Sequence, residues 1–305
     1  MVSAEQVIFL AGAQNALFVA AMCTTAQGDE VVTFEPYYPT YPATIEASGA
    51  RLLCAPPTPE LRPDLAALTA LITPRTRALL WASPNNPSGV VLNERELQHI
   101  GELARDYDLW LLVDEVYAAL APGGRVAGLA QRLPERVVTL GSFSKSHAMT
   151  GWRAGWLVGP AELVGHADNL AMCMLFGLPG FIQEAALAAL DVADEAEARA
   201  RNYCTTRRRF LSESLRDVPG LRLHAPDAGM FMLIDVSATG FSGAEFVRAL
   251  YAAQGVSVMD GAAFGAATAA YVRVCFAVQE PLLAEACRRL RLFCERALPQ
   301  PRRGD

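Results

Sequence analysis

The chain has 305 residues, 52% of them hydrophobic, enough to bury a sizeable core and to form two domains. Charged residues make up only 19%, which excludes a disordered chain, and 32 acidic against 26 basic residues with no long basic block give a net charge of −6 and argue against nucleic acid as a partner. The longest apolar stretches, residues 171–182 and 261–272, contain Gly, Pro or Thr and fall short of the roughly 18 residues that a spanning helix needs, so no membrane segment is predicted.

Residues 1–6 lack a basic stretch followed by an apolar one and do not read as a signal peptide; a cytoplasmic location is expected. Val7–Leu10 reads as a buried strand, followed by a helical run over 13–25, a strand at 31–34 and a helix after Tyr38. Strands are predicted at Arg51–Ala55 and 78–82, flanking a helix near 64–71. Asn93, with Glu96 three residues on, caps a helix presenting Leu97, Ile100 and Ala104 on one face. Residues 109–113 are apolar throughout, as in a strand buried on both faces, and further strands are expected at 137–140 and 154–158. This alternation predicts an open α/β sheet.

Beyond Pro179 the texture changes. Residues 183–217 read as one long helix, interrupted at most by a kink, that bridges two domains. Strands are predicted at 221–223, 230–235, 256–259 and Tyr271–Cys275. Ser242 and Glu245 form a second capping box, Pro281 suits the first turn of a final helix, and the tail 299–305 is expected to fray. The expected division is a large α/β domain over 1–185 and a smaller α+β domain over 186–305. Seven cysteines with no CxxC and four scattered histidines predict neither a disulfide framework nor a metal centre.

Four segments carry chemistry-bearing residues. In 141–156, Lys145 stands alone among small and apolar residues. Burying an ammonium is costly unless something uses it, and desolvation yields the neutral amine that attacks an aldehyde. Ser142 and Arg153 flank it with groups suited to a dianionic phosphate. Asp114 and Glu115 end the apolar run 109–113, where open α/β sheets place ligand contacts. Residues 83–89 (SPNNPSG) form a proline-rich turn able to aim an asparagine amide. At 11–17, small residues open a helix N-terminus, a natural phosphate seat, although the spacing is not that of a dinucleotide fingerprint.

With their order and spacing, Ser142-Phe143-Ser144-Lys145, Gly151-Trp152-Arg153, Asn85-Asn86-Pro87-Ser88-Gly89 and Asp114-Glu115-Val116-Tyr117 resemble the fold-type-I pyridoxal-phosphate aminotransferases of class I/II, over essentially the whole chain. The resemblance implies a three-layer, aspartate aminotransferase-like large domain with a mainly parallel mixed sheet, a homodimer, and pyridoxal 5'-phosphate as cofactor. It implies that Lys145 bonds covalently to the cofactor, Asp114 pairs with its pyridine nitrogen, and Asn86 and Tyr117 bond its phenolic oxygen. Tyr38 would stack on the ring, with the phosphate on the amides of Ala13 and Gln14 and among Ser142, Ser144 and Arg153. Arg273, otherwise a strand-edge charge, matches the arginine that clamps the substrate α-carboxylate, beside Asn86.

Segments 145–153, 172–177, 229–231 and 255–259 resemble bacterial arginine–pyruvate transaminases, which implies a basic amino donor such as arginine and a 2-oxo acid acceptor such as pyruvate. A β-eliminating lyase, an amino-acid oxidase, or a cofactor-binding protein with little turnover are the competing expectations. The family pattern also has an arm, a substrate loop and a phosphate-binding tyrosine ahead of the position of Ala11, which the sequence lacks. Met174 and Phe176 either line the side-chain pocket or pack in the core beside Leu175.

Overall fold

β-Branched and leucine-rich runs alternate with helices along the first half of the chain, and in the computed structural model, which describes residues 2–124, 126 and 128–297, they form one twisted layer between helices. The elements in chain order are β1 (Val7–Leu10), α1 (Ala13–Thr24), β2 (Glu30–Phe34), α2 (Tyr41–Glu46), β3 (Arg51–Ala55) and α3 (Leu65–Ala70). Next come β4 (Thr76–Ala82), α4 (Glu94–Asp106), β5 (Trp110–Asp114), β6 (Val137–Ser142), α5 (Phe143–Ser146) and β7 (Gly155–Val158). The sheet runs β1-β7-β6-β5-β4-β2-β3. Neighbours from β6 to β3 are parallel, whereas β7 is antiparallel to both β6 and β1.

This is the open α/β sheet expected from the alternation, in the mixed, three-layer form that the family resemblance implied. Strand periodicity explains the layers. On β5, Leu112 faces a core shared with α1 and with Leu163 and Val164, while Leu111 and Val113 face α4 through Leu97, Ile100 and Leu103. Helix α4 starts where Asn93 accepts from the Glu96 amide (3.0 Å) and Glu96 accepts from the Asn93 amide (2.7 Å). Leu112 is 0% exposed. Leu112→Ala should therefore cost about 2–5 kcal/mol, read as a lower midpoint in urea unfolding.

The second half contains α6 (Ala161–Met174), α7 (Gly180–Asp191), α8 (Ala193–Leu215), β8 (Arg222–His224), β9 (Phe231–Asp235), α9 (Gly243–Gln254), β10 (Met259–Asp260), β11 (Tyr271–Cys275) and α10 (Glu280–Ala297). The sheet β10-β11-β9-β8 is antiparallel throughout and packs against α8, α9 and α10 through Leu211, Leu215, Phe246, Leu250, Leu283 and Leu290.

Three expectations change. The long helix over 183–217 is two helices, parted at Val192, whose φ of −114° and ψ of 16° leave the helical region. The strand predicted at 256–259 shrinks to Met259–Asp260, because only those residues find partners, on β11. Helix α6, absent from the sequence reading, packs on α1. The frayed tail predicted at 299–305 lies outside the described residues. Among those residues no helix is long and apolar enough to cross a membrane, and no group of three or more His, Cys, Asp and Glu side chains is arranged to hold a metal.

Candidate active site

Parallel register aligns the carboxyl ends of the central strands: Ala82 on β4 pairs with Asp114 on β5, and Asp114 with Leu140 on β6. The chain leaves each strand there, so the loops gather at one sheet edge. A cavity of about 570 Å³ opens at this edge. Ala13, Gln14, Tyr38, Asn86, Asp114, Tyr117, Ser142, Ser144, Lys145, Arg153 and Arg273 all line it. Met174 and Phe176 do not; both are exposed at the end of α6, so neither the pocket nor the core holds them.

Lys145 sits on α5, a four-residue helix whose N-cap, Ser142, accepts a hydrogen bond from the Ser144 amide at 3.2 Å. Desolvation lowers the Lys145 pKa most, with Arg153 and Arg273 lowering it further; the thiol of Cys275 and the carboxylate of Asp114 work against the shift. Beyond α5 the chain turns through Arg153, in the left-handed region with φ 54°. The Arg153 guanidinium is held by the carbonyls of Thr150 (2.9 Å) and Ala11 (3.3 Å) beside the start of α1. Gly12, with φ +83°, caps α1. A Cβ there would lie 2.5 Å from Arg153 Nη2, so glycine alone leaves room for the guanidinium.

Asp114 Oδ1 accepts from the Val116 amide (3.2 Å) and Oδ2 from the Tyr41 hydroxyl (3.2 Å). Burial raises its pKa to about 6, although these two hydrogen bonds and Lys145 favour the ionised form. Tyr41, 1% exposed, was missed in the sequence, where it reads as the start of a helix. Glu115 beside it is pushed up to about 7, by burial and then by Asp114.

The two adjacent asparagines divide their work. Asn85 braces the turn, donating to the Pro36 carbonyl (3.0 Å) and accepting from the amide and hydroxyl of Ser88 (3.1 and 2.8 Å). Asn86 faces the cavity and accepts from Arg273 Nη1 at 2.8 Å. The Arg273 guanidinium stacks on Phe231 (4.1 Å) and Phe264 (4.9 Å), and its buried Nε has no hydrogen-bond partner among the described residues. Tyr117 is buried edge-on against Phe231, and burial holds its phenol well above the usual range.

The site thus has a cationic end of Lys145 and Arg153 by a helix N-terminus, a carboxylate on the sheet edge, and an arginine fixed between aromatic rings. The model for class I and II aminotransferases matches residues 1–290. The chain belongs to that family. It is 45% identical over 304 residues to the arginine–pyruvate transaminase AruH of Pseudomonas aeruginosa, covering 98% of this chain and 77% of that protein. It is 30% identical to an aspartate aminotransferase of Bacillus subtilis, over 96% and 77% of the two chains. The solved aspartate aminotransferase of Thermus thermophilus with maleate superposes with a TM-score of 0.91 at 30% identity, over 96% of this chain and 77% of that one. N-succinyldiaminopimelate aminotransferase from Mycobacterium tuberculosis gives 0.89 at 32% identity, over 94% and 77%. The fold is that of aspartate aminotransferases, and the chain is an aminotransferase acting on small molecules.

Proposed function

We propose that the chain moves the α-amino group of a basic amino acid, arginine first, to a 2-oxo acid such as pyruvate, using pyridoxal 5'-phosphate. The observation that supports this most is the convergence of Lys145, Asp114, Arg153 and Arg273 on one cavity. The residues fit the cofactor: cationic and amide groups surround a glycine that leaves room at Arg153, and the Asp114 carboxylate lines the same cavity for a ring nitrogen. When bound, the cofactor supplies an aldehyde for covalent capture of an amine and a ring that accepts the electron pair released at Cα.

The chain's own residues do the rest. Ser142, Ser144, Arg153 and the amides of Ala13 and Gln14 hold the phosphate, and Tyr38 covers the ring. Asp114, kept ionised by Tyr41 and the Val116 amide, holds a proton on the ring nitrogen. Asn86 and Tyr117 hydrogen-bond the phenolic oxygen. Lys145, its ammonium disfavoured by desolvation, is the covalent attachment point; once displaced, it takes the proton from the substrate Cα as a neutral amine. Arg273 orients the donor through its α-carboxylate.

The basic donor is supported by the likeness to AruH; among the described residues Asp114 is the only carboxylate lining the cavity, and it is assigned to the ring nitrogen. A panel of amino acids, each with and without pyruvate or 2-oxoglutarate, tests the proposal. Keto-acid formation that requires the acceptor and is fastest with arginine supports it, and formation without acceptor would point to a lyase or oxidase. Arg273→Ala should retain the cofactor and raise KM for the donor about 10- to 150-fold, the worth of a charge-assisted carboxylate contact, in steady-state kinetics.

The division at 185/186 is proposed on the separate sheets within 7–158 and 222–275. A homodimer is proposed on the exposed apolar side chains of Met172, Phe176, Phe181, Leu187 and Leu190 along α6, α7 and the segment between them. Cytoplasmic location is proposed on the chain's free thiols.

A further inference from the structure

The two sheets meet near the cavity at a small joint outside its lining. On one side, the turn after β4 carries Asn86 and ends at Gly89. On the other, residues 225–229 link β8 to Met230 and Phe231. The Ala228 amide donates to the Gly89 carbonyl at 3.0 Å. The Val91 amide donates to the Asp227 carboxylate, also at 3.0 Å. Arg208 of α8 grips the loop from behind, donating to the carbonyls of Pro226 (2.7 Å) and Asp227 (2.9 Å). Gly89 has φ +72°, and a Cβ there would fall 2.2 Å from Pro226 Cβ and 2.6 Å from the Ala228 oxygen, so the strands of chain touch backbone to backbone.

This joint governs Arg273. Its Nη1 is bonded to Asn86, on the first sheet's turn, and its face lies on the ring of Phe231, just past the 225–229 loop. Met259 Sδ (2.6 Å from Nη2) and Phe264 (4.9 Å) hold the guanidinium from its own sheet's side, whereas the positions of Asn86 and Phe231 depend on how the turn and the loop are held. We infer that Asp227 and Gly89, neither of which lines the cavity, are positioning residues that set Arg273 for the substrate α-carboxylate. The inference rests on the proposed role of Arg273 as the carboxylate clamp.

Of the two contacts Asp227 makes, the hydrogen bond matters more than the charge. Arg62 reaches Asp227 only at 3.4 Å, on a half-exposed carboxylate, and is already committed to Glu96 through bonds of 2.8 and 2.6 Å. Exposed pairs of that kind contribute little. An asparagine keeps an oxygen for the Val91 amide; an alanine does not.

The test compares Asp227→Asn, Asp227→Ala and Gly89→Ala in the cofactor-loaded protein. Asp227→Ala should raise KM for the amino donor about fivefold to twentyfold, with kcat and cofactor affinity within about twofold of the parent. KM for the same donor's decarboxylated amine should not move. Asp227→Asn should behave as the parent, and Gly89→Ala should exceed Asp227→Ala. Amide hydrogen exchange gives a readout independent of turnover: protection over 85–91 and 231–235 should fall in Asp227→Ala and not in Asp227→Asn. An unchanged KM in an active Asp227→Ala, equal impairment of the asparagine variant, or unchanged exchange in the alanine variant would each overturn the inference. A parent protein that transfers no amino group sinks the functional proposal instead, and the exchange data still decide whether the joint exists.

Discussion

Lys145→Ala is expected to abolish the visible absorbance of covalently held cofactor and to lower the transamination rate at least ~1,000-fold, without loss of fold. The size follows from the double duty proposed for one amine, covalent attachment and then proton transfer at Cα, a step for which positioned acids and bases supply about 10²–10⁴-fold. Folding should survive because α5 is fastened by Ser142 and by Phe143, which is buried against Trp156 and His147. The lysine's contribution to stability is a half-desolvated ammonium, with no ion pair among the described residues. A visible spectrum with and without arginine, beside circular dichroism, checks both halves. Retained absorbance in the variant would remove Lys145 from the chemistry.

Asp114→Asn is expected to lower kcat/KM about 100- to 1,000-fold, the usual effect of removing one preorganised electrostatic group, because an amide cannot hold a proton on the ring nitrogen. The same change should stabilise the cofactor-free protein at neutral pH. The sign follows from linkage. Asp114 has its pKa raised in the folded chain from 3.8 to about 6, so the native state binds more protons than the unfolded state between those values. Its favourable contribution is complete below about pH 4 and is lost as pH rises through about 6. Asparagine has no charge to desolvate, so the variant's advantage over the parent should grow from pH 4 to 7 and then level. Thermal melts of the cofactor-free pair across that range measure it; a flat difference would show that Asp114 is not strained. Cofactor should reverse the ranking, since under the proposed assignment its ring nitrogen pairs with the parent's carboxylate and not with the amide.

Most of the fold is legible because its signals are local. Asn93 with Glu96, Ser242 with Glu245 and the apolar run on β5 each announce an element within a few residues. The break at Val192 is not announced: no glycine or proline marks it, and alanine- and glutamate-rich sequence on both sides favours helix. Residues 256–258 have the β-branched composition of a strand, but pairing needs a neighbour that composition does not supply. The site divides in the same way. Ser142, Ser144, Lys145 and Arg153 lie within one strand–helix–turn segment, so their spacing is informative. Arg273 could be singled out only through resemblance, because its partners Asn86, Phe231 and Phe264 come from elements far apart in the chain. Tyr41 was hidden for the same reason, 73 residues from the carboxylate it serves.

The crowding at Gly12 has an effect on tolerance to change. Any side chain at that position would have to push the Arg153 guanidinium away from where it stands against the Thr150 and Ala11 carbonyls, in a backbone conformation that L-residues rarely adopt. In a saturation library selected for growth on the enzyme's product, codon 12 should therefore be as depleted of variants as codon 145, although glycine there moves no proton and bonds no substrate.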